Sequence, residues 1–234
     1  MNSYQIGTSA LIAAAALFTN GQVNQAQASP HQAHHGTVTY EVSVTNLTRG
    51  QPLSPAAVYT HCSDTVPLFM AGMPASPELA ALAEDADMSQ LMASLQEDDS
   101  VCDHVTLTGP EGPILPGETA HIQVTARSSC RYLSMAAMLV STNDAFTGVH
   151  DIKLPRHGTH SMTTVAYDAG SEANTEMCSD IPGPPCGSPH VRVTEGAEGH
   201  VHVHAGIHGI GDLDPAHHDW RNPVARVTVT RVYE

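Results

Sequence analysis

Residues 37–48, TVTYEVSVTNLT, place Val38, Tyr40, Val42 and Val44 at every second position among polar neighbours. An extended chain sends successive side chains to opposite faces, so this period of two predicts a half-buried strand. The turn-rich RGQPLSP interrupts it, and AAVYTH follows as a second apolar segment. The period then changes. Over residues 77–99, Leu79, Leu82, Ala83 and Ala86, and then Met88, Leu91, Met92 and Leu95, recur at helical spacing. Ser76 is placed to cap this region, with Pro77 at the first helical position. An apolar helix face of this kind packs on a sheet.

From Val101 onward the pattern returns to strands. VTLTG and TAHIQVTAR are separated by the turn-rich PEGPILPGE. YLSMAAMLVST is a continuous apolar run suited to a central strand, with Met135 and Met138 as core residues rather than soft copper ligands. VRVTEG, HVHVHAG and VARVTVTRVY complete the set. Short strands separated by Gly, Pro and Asp predict a mostly β protein, an antiparallel β-sandwich with a helical insertion near residues 77–99. No internal repeat of fixed period is present.

The N-terminal 30 residues follow a different pattern. Residues 10–18 are a short apolar run, and Ala26-Gln27-Ala28 has the small-x-small form of a cleavage site, although no Lys or Arg precedes the run. This predicts a signal peptide over 1–28, a His-containing tail over 29–36 and one domain over 37–234. The apolar run is far shorter than the roughly 20 residues of a spanning helix, and no later segment is apolar enough to cross a bilayer. The expected location is therefore periplasmic or secreted. Net charge is −15, with nine Lys and Arg residues in all. That balance argues against nucleic acid or an anionic membrane as partner and is compatible with cations; it also simply maintains solubility.

In an oxidising compartment the five cysteines are expected to form disulfides. Cys178 and Cys186 flank SDIPGPP, a proline-stiffened loop whose ends can meet, and this pair is the favoured bridge. Among Cys62, Cys102 and Cys130 one pair can form and leave one thiol; spacing does not say which.

Two loops carry acids. STNDAFTG holds Asn143 and Asp144 at the end of the apolar strand, and YDAGSEANTE holds Asp168, Glu172, Asn174 and Glu176. Calcium takes six to eight oxygen ligands, and loops at one end of a sandwich can supply them from separate parts of the chain. The same Asx and Gly residues also serve as turn formers.

The segments YEVSVTNLTRGQPLSP, STNDAFTG, YDAGSEANTE and GIHGIGDLDPAHHDWRNPVARVTVTR occur in the order seen in bacterial proteins with a spondin domain. On this basis residues 37–234 resemble that family, whose animal members include the N-terminal spondin domains of F-spondin and mindin. The resemblance implies a C2-like sandwich that binds calcium through loops at one end and acts outside the cell in adhesion or recognition. It points to Asp144, Asp168 and Glu172 as ligands, with Asn143 a weaker one. Glu172 stands where the animal domains often have Asp. The other domains of the animal proteins have no counterpart here, so no partner-binding residue carries over.

The resemblance to animal domains leaves the histidines unexplained. In HVHVHAGIHG, if Val201 and Val203 face the core, His200, His202 and His204 share the other face. A His-x-His pair is a two-point clamp for Zn²⁺ or Cu²⁺, and His208 or His61 could add a third imidazole. His204 and His208 are the foremost candidates, because HAGIHG is shared with the bacterial proteins that the chain resembles. The competing reading is a weak, pH-responsive ladder in a chain of 16 histidines. No Gly-x-Ser-x-Gly elbow, phosphate loop or dinucleotide fingerprint occurs. The sequence thus predicts an exported, non-enzymatic calcium-binding module for an extracellular or periplasmic protein or polymer. The alternative is a periplasmic zinc- or copper-binding protein or metalloenzyme built on His61, His202, His204 and His208.

Overall fold

The computed structural model describes residues 36–233; the expected signal peptide and nearly all of the expected tail lie outside them. Two antiparallel sheets form a sandwich. One has four strands: β1 (Val38–Asn46) lies between β4 (Thr119–Ala126) and β10 (Ala225–Arg231), and β7 (Thr159–Thr164) closes the edge. The other has six, in the order β3 (Val101–Leu107), β2 (Ala56–His61), β5 (Tyr132–Met138), β6 (Ala145–Lys153), β8 (Ala166–Asp168) and β9 (His202–Val203).

The alternation in β1 does what its pattern dictates. Tyr40, Val42 and Val44 are buried while Glu41 is exposed, and Val42 sits opposite Ile122 on β4 and Val229 on β10. Val58, Leu107, Val124, Leu133, Met135, Leu139 and Val227 join them between the sheets. The six-stranded sheet has a second covered face. Helices α1 (Pro77–Asp85) and α2 (Ser89–Glu97) lie over it, so Leu79, Leu82, Leu91 and Leu95 meet Ala57, Tyr59, Ala136 and Phe146. Because β2 and β5 are buried on both faces, they read as mostly apolar runs, with Thr60, His61 and Ser134 as buried polar members.

The helical insertion divides in two for local reasons. Ser76 Oγ accepts from Leu79 N at 3.2 Å and opens α1. Ala86, in the left-handed region at φ 57°, ends it, and Asp87 Oδ1 then accepts from Ser89 N at 2.9 Å ahead of α2. The strand β7 was not legible as a strand: five of its six residues are exposed, and THSMTT carries no hydrophobic alternation. VRVTEG, expected as a strand, forms none. It belongs to the long connection between β8 and β9, which lies outside the regular ladders.

Two disulfides are formed, Cys102–Cys130 and the expected Cys178–Cys186, whose Cα atoms are 4.8 Å apart. Cys62 is the free thiol.

Candidate functional site

The loops at one end of the six-stranded sheet converge on buried acids. After β5 the chain turns back through Thr142, whose hydroxyl donates to the Leu139 carbonyl at 2.6 Å and accepts from Ala145 N at 3.1 Å. This tight return buries Asn143 and Asp144 completely or nearly so. Asn143 points its amide along the second loop, accepting from Glu176 N at 3.2 Å and donating to Thr175 Oγ1 at 3.3 Å. It is thus engaged in joining the two loops.

Asp144 differs. Its Oδ2 accepts from Ser171 N at 2.8 Å, Ser171 Oγ at 3.2 Å and Glu172 N at 3.0 Å. Its Oδ1 is buried and has no partner. Burial, and then the charge of Asp168, push this carboxyl up to about 7 despite the bonds on Oδ2. Glu172 is also buried, and burial together with Glu84 and Asp144 pushes it up to about 8. Arg192 partly offsets this charge while it ties the long connection to α1, at 2.6 Å from Glu84 and 2.8 Å from Asp85. A buried carboxylate without a partner is costly, so such a group holds a proton or meets a cation.

Asp168 lies at the end of β8. Gly170 N donates to its Oδ1 at 2.7 Å and Asn174 Nδ2 to its Oδ2 at 2.6 Å. Gly170 takes φ +66°, and a β-carbon there would collide with the His200 backbone, so the DAG turn requires glycine. Asp144, Asp168 and Glu172 do not bring one ligand atom each within 4.8 Å of one another. Among the described residues, two groups do: Asp168 with Glu198 and His202, and the three cysteines Cys62, Cys102 and Cys130. Pairing of β8 with β9 sets His202 directly opposite Asp168, with His202 Nδ1 3.9 Å from Asp168 Oδ1. Asn174 Nδ2 also reaches Glu198 Oε1 at 3.3 Å. Glu198 was missed in the sequence because it lies 30 residues beyond Asp168 in a connection with no regular period.

The expected histidine face does not form. Val201 is buried, but Val203 is 54% exposed and His204 only 5%. The strand β9 is two residues long, so the alternation stops before it can place three imidazoles together. His204 turns inward against Trp220, their ring centroids 5.0 Å apart. Burial holds its pKa down to about 4. His208 is exposed, and its backbone N–H is held by Glu176 at 2.6 Å. His61 stands apart. It is on β2, four strand positions from β9, or about 19 Å across the sheet at the usual strand spacing. Its Nδ1 donates to the Cys62 carbonyl and its Nε2 accepts from Ser134 Oγ, each at 2.8 Å. Ser134 and His61 are both fully buried, which closes this hydroxyl–imidazole pair to a substrate.

Glu176 organises the loop that carries His208. Its carboxylate accepts from His208 N at 2.6 Å, Gly209 N at 2.7 Å and Ile210 N at 2.9 Å. Three backbone donors on one buried anion explain both its position and its tolerance of a left-handed φ of 56°.

No family model matches the chain, and no curated protein matches it.

Proposed function

We propose that this chain is an exported, non-enzymatic recognition module of the spondin type whose loop acids hold calcium. The observation that carries this reading is the buried, unpartnered Oδ1 of Asp144 beside Asp168 and Glu172. Calcium is a hard cation that takes oxygen donors; Asp144 Oδ1 would provide one together with loop carbonyls and water, and Asp168 and Glu172, which do not converge with it in this geometry, would join by moving inward as the ion binds. Its part is structural: it neutralises the acids and fixes the loops after β5 and β8 as a surface for an extracellular or periplasmic protein or polymer. The ordered motifs that resemble spondin domains support the same reading.

The test is calorimetric titration of metal-free protein with calcium, alongside thermal unfolding. At a calcium concentration a hundred times Kd, binding to the folded state alone adds about 2.7 kcal/mol. For a domain of this size, that raises Tm by about 5 to 10 °C. An unchanged Tm and no binding heat at millimolar calcium would reject it.

A second reading rests on a separate observation, the convergence of Asp168, Glu198 and His202. Two carboxylates and one imidazole suit zinc better than copper. This supports a periplasmic transition-metal-binding role, or a metalloenzyme, in place of a calcium module. Elemental analysis of untagged protein separates the two. Near-stoichiometric zinc, lost on Glu198→Gln with His202→Ala, would favour the second reading; calcium without zinc would favour the first.

A further inference from the structure

Three cysteines meet on the side of the six-stranded sheet away from the acidic loops. The register brings them there. His61, at the end of β2, pairs with Val101 on β3 and with Tyr132 on β5. Cys62 therefore emerges between Cys102 and Cys130. The Sγ atoms of Cys62 and Cys130 are 3.6 Å apart, and all three sulfurs lie within 4.8 Å of one another. Arg127 Nε donates to Cys102 Sγ at 3.2 Å.

The electrostatic setting is unusual for this chain. Cys130 lines a cavity of about 150 Å³ together with Arg127, Arg131, Lys153, Arg156 and Arg231. These are five of the nine Lys and Arg residues in a protein of net charge −15. Among the described residues the ion pairs of Lys and Arg are those of Arg192 and Arg221, so none of the five meets a described carboxylate. Of these five, Arg127 is in contact with the sulfur that the exchange would free, Cys102 Sγ.

We propose that Cys62, Cys102 and Cys130 form a thiol–disulfide exchange centre. The Cys62 thiolate attacks Cys130 Sγ, the Cys62–Cys130 bond forms and the Cys102–Cys130 bond breaks. The electron pair leaves on Cys102 Sγ, as a thiolate beside the Arg127 guanidinium. The proton released from Cys62 goes to solvent, and Cys102 takes one up when it is protonated. One disulfide and one thiol are present before and after, so no external oxidant or reductant is consumed. A stabilised leaving thiolate speeds such exchange. Arg127 is a positioning and charge-stabilising residue for Cys102. The exchange moves the covalent tie of the turn at Cys130 from β3 to the end of β2.

The experiment uses the full chain purified without reductant. It is incubated at mildly alkaline pH, quenched in acid and alkylated with N-ethylmaleimide. Non-reducing peptide mapping by mass spectrometry then identifies the links. The expected result is label on both Cys62 and Cys102, with Cys102–Cys130 and Cys62–Cys130 peptides both present. Arg127→Ala should shift the ratio about tenfold toward Cys102–Cys130, the scale of one charge-assisted hydrogen bond. Cys102→Ser, treated with oxidised glutathione as the two-electron oxidant, should yield a Cys62–Cys130 disulfide. Label on Cys62 alone with a single linkage in the native chain would overturn the proposal. Folded Cys102→Ser protein retaining two free thiols at Cys62 and Cys130 after that oxidation would also overturn it.

Discussion

His204 Nε2 lies 3.0 Å from Asn174 Oδ1. The other ring nitrogen, Nδ1, accepts from Gly206 N at 3.0 Å, so Nε2 carries the proton of the neutral ring and donates it to Asn174. Asn174 in turn donates to Asp168. The imidazole that the HAGIHG segment offered as a metal ligand is therefore engaged in a buried relay that orients Asp168.

Replacing His204 with alanine should leave the Gly206 donor and Asn174 acceptor without partners and open space beside Trp220. Loss of about 2 to 4 kcal/mol is expected in denaturant unfolding. Metal content should persist where the variant is folded; its complete loss would mean that the ring is itself a ligand.

The pH response of metal-free protein follows from the buried acids. Asp144 and Glu172 hold their protons up to about 7 and about 8 when folded, against values near 4 when unfolded. Between those limits the folded state carries more protons, so stability falls as pH rises. His204 acts in the opposite sense. Its folded value of about 4 lies below the ordinary 6.5, so its neutral form contributes stability that is lost as pH falls through that window. Above about pH 6.5 only the acids remain. Metal-free Tm should decline from there to about pH 8, and saturating calcium should abolish the decline. A flat metal-free profile over that range would contradict the assignment.

Asp144→Asn removes the charge but keeps an oxygen for the Ser171 and Glu172 donors. The variant should lose the calcium-dependent rise in Tm. At alkaline pH its metal-free form should be at least as stable as the parent, because the buried charge at this position, and its repulsion with Asp168 and Glu172, is gone. A full calcium response in the variant would exclude Asp144 as a ligand.

Glu176→Ala should release three backbone donors and free the loop bearing His208 through Ile210. The expected cost is about 2 to 4 kcal/mol, with faster amide exchange at His208, Gly209 and Ile210. Unchanged exchange at those amides would remove Glu176 from this role.

Much of the architecture can be read without coordinates because its causes are local. The alternation at Tyr40, Val42 and Val44 requires a one-sided strand, and the unbroken apolar run around Met135 requires a strand covered on both faces. Ser76 and Pro77 define a helix start, and the proline-rich loop between Cys178 and Cys186 brings its own ends together. In β7 the same logic has nothing to act on, since an exposed edge strand needs no hydrophobic pattern.

The candidate site is legible only in part. Asp144 and Asp168 stand out as acids where strands end, and that much the sequence by itself determined; that Asp168 closes β8 rather than sitting in the loop is a matter of its pairing with Ala145 and His202. Which groups share a site was decided by the tertiary structure. Strand register set His202 opposite Asp168, the path of a long connection brought in Glu198, and the early end of β9 turned His204 into the core. The pairing of β2 with both β3 and β5 gathered three cysteines, and the wider packing set five cations around a cavity beside one of them, Cys130. Convergence of residues tens of positions apart depends on pairing and loop path, and those are properties of the whole packed chain rather than of any local pattern.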